Sequence, residues 1–203
     1  YHRMAVAAGI DASELQILND GRHAHLVVRR FDITESGARL HQHTLGGLLH
    51  VDYNDPGASS YDEYLRCILR LGMPYAALRE GYRRAAFNVL AVNQDDHVKN
   101  LSFHMDEAGR WRLTPAYDLT FAKGRGWTSQ HQMRLQDLTG GIRRTQLTNL
   151  ADELGVSRPD HILEQIQSAV SSWPTCASEF GVPDEDVRRI QGELEARRRE
   201  VSS

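Results

Sequence analysis

Three residues of this chain, Asp95, Asn100 and Asp118, have the side chains and spacing of a phosphoryl-transfer site. Asp95 begins the run Asp95-Asp96-His97-Val98-Lys99-Asn100, and Asp118 closes Thr114-Pro115-Ala116-Tyr117-Asp118. That reaction needs a carboxylate to orient and deprotonate an attacking hydroxyl, and hard oxygen ligands to hold magnesium against the nucleotide phosphates. An Asp with an Asn five positions on has the spacing of base and metal ligand in a kinase catalytic loop. Asp118, eighteen residues after Asn100, stands where a second acidic ligand is expected. The plainer reading is a polar surface loop in which Asp95 and Asp96 are solvated or helix-capping charges.

The surrounding elements favour the chemistry. Residues 101–105 and 110–114 alternate apolar and polar around Asp106-Glu107-Ala108-Gly109, which predicts a short hairpin with Asn100 near one end and Asp118 near the other. Upstream, residues 74–92 place Tyr75, Leu78, Tyr82, Ala85, Ala86, Val89 and Val92 at helical spacing. The pattern predicts a buried central helix that delivers Asp95 rigidly, as a catalytic base requires. Residues 61–71 predict another helix, with Tyr61, Tyr64, Leu65, Ile68 and Leu71 on one face. Residues 15–18 and 25–31 flank Asn19-Asp20-Gly21-Arg22, and Asp-Gly between apolar runs signals a hairpin. A short helix is expected near residues 43–49, and two more at 159–173 and 183–200.

These motifs resemble those of the HipA-like kinases, the serine/threonine kinase toxins of bacterial toxin–antitoxin pairs. The likeness rests on Phe87-Asn88-Val89-Leu90 leading into Asp95–Asn100, on Leu113 through Asp118, and on Val28-Arg29-Arg30-Phe31-Asp32. It is continuous from residue 1 to about residue 140 and weaker beyond. It implies that Asp95 is the catalytic base, that Asn100 and Asp118 hold Mg2+, and that His97 and Lys99 lie beside ATP with Tyr117 next to the metal. It also implies that Arg29, Arg30 and Phe31 form the hinge strand that meets the adenine, with Asp32 near the ribose. Some members carry an acidic residue before Arg-Phe-Asp where this chain has Arg29, which a backbone contact would survive. For His97 the alternative is a surface or structural histidine.

The fold so implied is α+β and mainly α. Residues 1–32 would end a smaller lobe, with its remnant β-hairpin and hinge strand, and residues 33–203 would form the helical larger lobe with the catalytic-site hairpin. The expected partners are a protein substrate, a helix-turn-helix antitoxin, DNA through that antitoxin alone, and a separate chain if one supplies the missing lobe. The chain opens without methionine at Tyr1-His2-Arg3 and reads as a sequence entered midway. No glycine-rich phosphate loop with its lysine is visible, and Gly46-Gly47 and Gly140-Gly141 read as turns or helix ends. A rival function is therefore a binding module, non-catalytic or completed by a partner, that docks a phosphate-loop chain or an antitoxin. A phosphoinositide kinase shares only the Asp-x-His loop.

Composition narrows the remainder. Of 203 residues, 40 % are hydrophobic and 25 % charged, ordinary for a globular chain. A net charge of −3 makes the whole chain no trap for DNA or anionic membrane. No apolar stretch reaches the ~20 residues of a membrane span. Cys67, on the apolar side of a helix, and distant Cys176 suggest free thiols in a reducing, cytoplasmic compartment. His23/His25 and His41/His43 lack a carboxylate or cysteine at a ligand spacing, which argues against a zinc hydrolase. Residues 120–132 read as an activation segment, in which Lys123 and Arg125, with Arg134 just beyond, either meet substrate or are solvated. Arg197-Arg198-Arg199 complement a helix C-terminus rather than DNA.

Overall fold

The structure, a computed structural model, describes residues 1–202. It is α+β. Its elements in chain order are α1 (His2–Ala7), β1 (Leu15–Asn19), β2 (Ala24–Val28), β3 (His41–Thr44), α2 (Leu45–Leu49), β4 (Ser59–Ser60), α3 (Tyr61–Arg70) and α4 (Tyr75–Leu90). There follow β5 (Ser102–Met105), β6 (Trp111–Leu113), a 3-10 turn at Gly126–Ser129, β7 (Met133–Arg134), α5 (Arg144–Leu154), α6 (Pro159–Val170), α7 (Trp173–Glu179) and α8 (Asp184–Ser202).

The central scaffold is the α3–α4 pair. A capping box starts α3: the Glu63 amide donates to the Ser60 hydroxyl at 3.1 Å, and the Ser60 amide donates to the Glu63 carboxylate at 2.9 Å. Pro74 precedes α4, whose Leu78, Tyr82, Ala85, Ala86 and Val89 are buried at three- and four-residue intervals. The helices approach closely because position 81 is glycine. A Cβ there would lie 2.5 Å from the Ile68 side chain and 2.8 Å from Leu65. Arg84, also buried, ties α4 to the chain on either side, donating to Glu80 and to the carbonyls of Thr114 and Asp11.

Helices α5 to α8 pack round this pair. The Tyr82 hydroxyl donates to the Leu147 carbonyl, and the Trp173 indole donates to the Val187 carbonyl. Helix α1 belongs to the same core, with Met4 and Ala5 buried and the Tyr1 ring against Trp173. Helices α5 and α7 were not among the expected elements; α6 ends at Val170, and Trp173 begins α7. Arg197 is buried and paired with Glu200 at 3.1 Å, so the basic triplet presents no continuous charged surface.

Three sheets are small. β1 and β2 form the expected antiparallel hairpin, in register Leu15↔Val28 to Asn19↔Ala24, and every residue of both strands is exposed. β2 ends at Val28; the Arg29 amide still donates to the Glu14 carbonyl at 2.9 Å, and Arg30 to Asp32 lie outside the strand. β5 and β6 form the second expected hairpin, and β3 adds a third strand, in order β3-β5-β6. His43 therefore lies in a strand, and the short helix starts at Leu45. Gly46 and Gly47 lie in the first turn of α2, at a helix end rather than in a loop turn. Gly46 lets that helix rest on the loop at residues 93–100, since a Cβ would come within 2.8 Å of Val98. The third sheet is a two-residue parallel ladder, Ser59↔Met133 and Ser60↔Arg134. Among the described residues no helix is long and apolar enough to cross a membrane.

Candidate active site

The chain leaves α4 through Val92, which has a left-handed backbone at φ 55°. A β-branched residue rarely adopts that conformation, and its surroundings must impose it. Here they do so with backbone hydrogen bonds on both sides. The Asn93 amide donates to Asn88 at 2.9 Å, and the Ala122 amide donates to the Val92 carbonyl at 3.0 Å. The Gln94 amide then donates to the Ala122 carbonyl at 2.9 Å, closing a parallel bridge between Asn93 and Ala122. The loop that carries Asp95 is thereby joined to the chain that follows Asp118. Asp118 is itself left-handed at φ 53°, and the Asn93 side-chain amide donates to its carbonyl at 3.5 Å.

Within the loop, the Asn100 side chain donates to the Asp95 carbonyl at 3.0 Å, which turns its amide oxygen away from that contact. The Tyr117 hydroxyl donates to the Lys99 carbonyl and meets the Ser102 hydroxyl, fixing the residue before Asp118 against the end of the loop. Burial raises the Tyr117 phenol above its ordinary range. Asn93, Asn100, Tyr117 and Leu119 line one small cleft, together with Arg84 and Asp96. Asn100 and Tyr117 thus share this cleft, while Asp95 is tied to Asn100, and Asp118 to Asn93, through their backbone carbonyls. His97 Nε2 lies 3.8 Å from Asp95 Oδ1, and the His97 ring stands edge-on to Tyr53 and Trp127. The Lys99 ammonium sits 3.3 Å from the centre of the Tyr53 ring.

The residues expected at the hinge divide. Phe31 stacks on Tyr117 at 5.4 Å and also meets His104, so it joins the site. The Arg29 side chain is directed to Glu14 and Glu35. Arg30 pairs with Asp32, which holds the Asp32 carboxyl below the usual carboxylate range.

Sequence reasoning missed the buried partner of the site. Asp96, taken only as a solvated or capping charge, is 2 % exposed. Its carboxylate accepts from the Tyr61 hydroxyl at 2.6 Å, from His131 Nδ1 at 2.7 Å and from the Gln132 amide at 2.7 Å. Burial, with Asp96 beside it, pushes the Tyr61 phenol well above its ordinary range. The signals that could have found it were Tyr61 on a buried helix face and a histidine in an otherwise polar segment. A second correction concerns the histidines. His23 and His25 do have a carboxylate partner, since the hairpin turn returns Asp20 to them with all three ligand atoms within 4.8 Å. A hydrogen bond of 2.9 Å from His25 to Asp20, and the Arg22 and His23 amides on the other Asp20 oxygen, account for this exposed cluster as a turn lock.

Comparison with known proteins agrees with this architecture. A family model, the HipA-like C-terminal domain, matches residues 1–173. A Haemophilus influenzae protein named as a candidate kinase is 31 % identical over a 100-residue alignment, and the match covers 45 % of this chain and 29 % of that protein. Among solved structures, a chain of the Shewanella oneidensis MR-1 toxin–antitoxin complex of HipA, HipB and operator DNA superposes with a TM-score of 0.74. It is 25 % identical, and the match covers 96 % of this chain and 53 % of that one. The chain therefore spans about half the length of the solved relative and less of the curated one.

Proposed function

We propose, from the premise that this chain belongs to the HipA-like C-terminal domain family, that it is the larger lobe of an ATP- and Mg2+-dependent serine/threonine protein kinase of the toxin–antitoxin type. The observation that carries this reading is the shared framework of the two loops. Asn100 is bonded across its turn to the backbone of Asp95, and Asn93 is bonded to the backbone of Asp118. One carboxylate and two oxygen ligands from separate segments thus share one set of backbone constraints.

In this reading Asp95 would orient the substrate hydroxyl and take its proton at the carboxylate, while the hydroxyl oxygen bonds to the γ-phosphorus of ATP, the bond from that phosphorus to the bridging oxygen breaks, and ADP leaves. The donor set suits a hard cation, since Asn100 and Asp118 both offer oxygen atoms. Mg2+ bound there with ATP supplies charge neutralisation at the phosphates. His97 and Lys99 would flank the nucleotide. Phe31, stacked on Tyr117, would couple the adenine-side segment 29–32 to the metal loop. An antitoxin as partner, and DNA through it, are supported by the matched complex of HipA, HipB and operator DNA, and the family resemblance implies that this antitoxin is of the helix-turn-helix kind.

The lobe division at residue 32 is part of the same proposal. Because α1 is buried among the larger helices, the smaller-lobe reading attaches to the β1–β2 hairpin. Its Leu18 and Leu26 are 58 % and 65 % exposed, and isolated two-stranded hairpins are marginal in water. That exposure also favours a second reading, in which this chain is a module completed by a partner that brings the phosphate loop.

Calorimetry with ATP and Mg2+ tests the site, on this chain alone and with a phosphate-loop segment joined upstream. Binding that Asp118→Ala abolishes is the expected result. Phosphoryl transfer that persists in Asp95→Asn, where a loss of about 10²–10⁴-fold is expected for a general base, would overturn the assignment.

A further inference from the structure

We infer that residues 126–132 form a strap that positions the Asp95 carboxylate, with Trp127 as the positioning residue and Asp96 as the buried anchor. The inference rests on the kinase reading of Asp95 and adds a residue that the family match does not assign.

Asp95 and Asp96 are neighbours that face opposite ways. The Asp95 side chain is 41 % exposed, and that of Asp96 is 0 %. From Asp96 a continuous series of hydrogen bonds returns to Asp95. Asp96 accepts from His131 and from the Gln132 amide, and His131 is itself fully buried. A carboxylate only accepts, so His131 Nδ1 carries the proton in that contact. The Gln132 side chain then donates to the carbonyls of Trp127 and Gln130. Finally, the Trp127 indole donates to Asp95 Oδ1 at 2.8 Å. The far end of the strap is fixed by the β4–β7 ladder and by the Gly57 amide on the Gln132 carbonyl at 2.9 Å.

Chemistry explains why an indole suits this place. Its N–H can donate but cannot accept a proton, so it occupies Oδ1 without competing for the base's task. The second carboxylate oxygen is left for the substrate hydroxyl, and the rotamer of Asp95 is set before substrate arrives. A merely solvated segment after Asp118 would not bury both His131 and Gln132. Trp127 touches no reacting atom in this scheme and acts through Asp95.

The test has two readouts. In the 15N-labelled chain, the Trp127 indole proton is expected to exchange with water about tenfold more slowly than an exposed indole, and Gln132→Met is expected to remove that protection. In the active kinase, Trp127 is replaced by benzothienylalanine, which keeps the ring shape and lacks the N–H. A fall in kcat of about 10- to 100-fold, with KM for ATP unchanged, is expected. Full exchange in the unmodified chain, or an unchanged kcat in the analogue, would overturn the inference. If the unmodified, completed protein transfers no phosphate, the kinase reading fails and the catalytic role of the strap falls with it. Slow exchange lost in Gln132→Met would in that case still uphold the strap as a structural tie.

Discussion

The β1–β2 hairpin and the loop at residues 93–100 both present charged residues beside apolar ones, yet they are held in opposite ways. At the hairpin tip, Asp20 is satisfied by its own turn, by the Arg22 and His23 amides and by His25, all within five residues. Nothing in the strands is buried. In the loop at residues 93–100, Asp96 is satisfied by residues 35 and 36 positions away in sequence, all buried. A local turn lock fixes only itself. A long-range buried lock fixes two segments relative to each other, which is what a site assembled from separate loops requires. The hairpin leaves its apolar side chains in water, and the loop is held by the protein's own buried groups.

The largest effect should come from breaking the long-range lock. Asp96→Ala leaves the Tyr61 hydroxyl, His131 and the Gln132 amide without their acceptor in a dry interior. A loss of about 3–5 kcal/mol in urea unfolding is expected. A loss below about 1 kcal/mol would mean that the network is dispensable and would remove the contrast with the hairpin. Next in size is Gly46→Val, which drives a side chain into Val98 and pushes α2 off the loop. Overpacking of this kind costs about 1–3 kcal/mol, and Mg2+–ATP binding should weaken with it. Unchanged binding in a destabilised variant would show that α2 does not brace the site.

The same contrast decides what could be read from the sequence. Both hairpins, α3 and α4 were legible because their signals are local: an Asp-Gly turn, an alternating strand, an apolar stripe of three- and four-residue period. Strand β3 was not, because His41-Gln42-His43-Thr44 is short and polar and its partner β5 lies some sixty residues on, at His41↔Met105. α7 was hidden by Ser171 and Ser172, which separate it from α6 by only two residues. Asp95, Asn100 and Asp118 were singled out as candidates by spacing. Asp96, His131 and Trp127 did not, since nothing in their spacing says that residues 126–132 fold back across residue 95. Spacing encodes contacts along one element, whereas the strap is a tertiary arrangement between two.

A smaller effect probes the hairpin. In this chain alone, Leu26→Ser should shift stability by no more than about 0.5 kcal/mol, since Leu26 is already mostly in water. With the upstream lobe or a partner present, the same change should cost about 1.5–3 kcal/mol, the value of burying a leucine. Thermal melts of the variant in both forms check this. Equal and small shifts would mean that the hairpin stays uncovered and would end the smaller-lobe reading.

The smallest effect lies where the two regions meet. His104 on β5 touches Phe31, and burial, followed by the nearby Arg112, lowers its pKa below 6.5. Because the folded value is depressed, the unfolded chain binds more protons as pH falls below about 6.5. Stability contributed by neutral His104 is therefore full above that pH and is lost as pH falls through the folded value. His104→Gln should flatten the slope of stability against pH in that window and leave the alkaline side unaltered. Urea melts of both proteins between about pH 7 and pH 5 isolate the difference, because every other titrating group is common to the pair. An identical slope in the variant would mean that protonated His104 is tolerated. The Phe31–Tyr117 contact would then impose no dry environment where residues 29–32 meet residues 114–118.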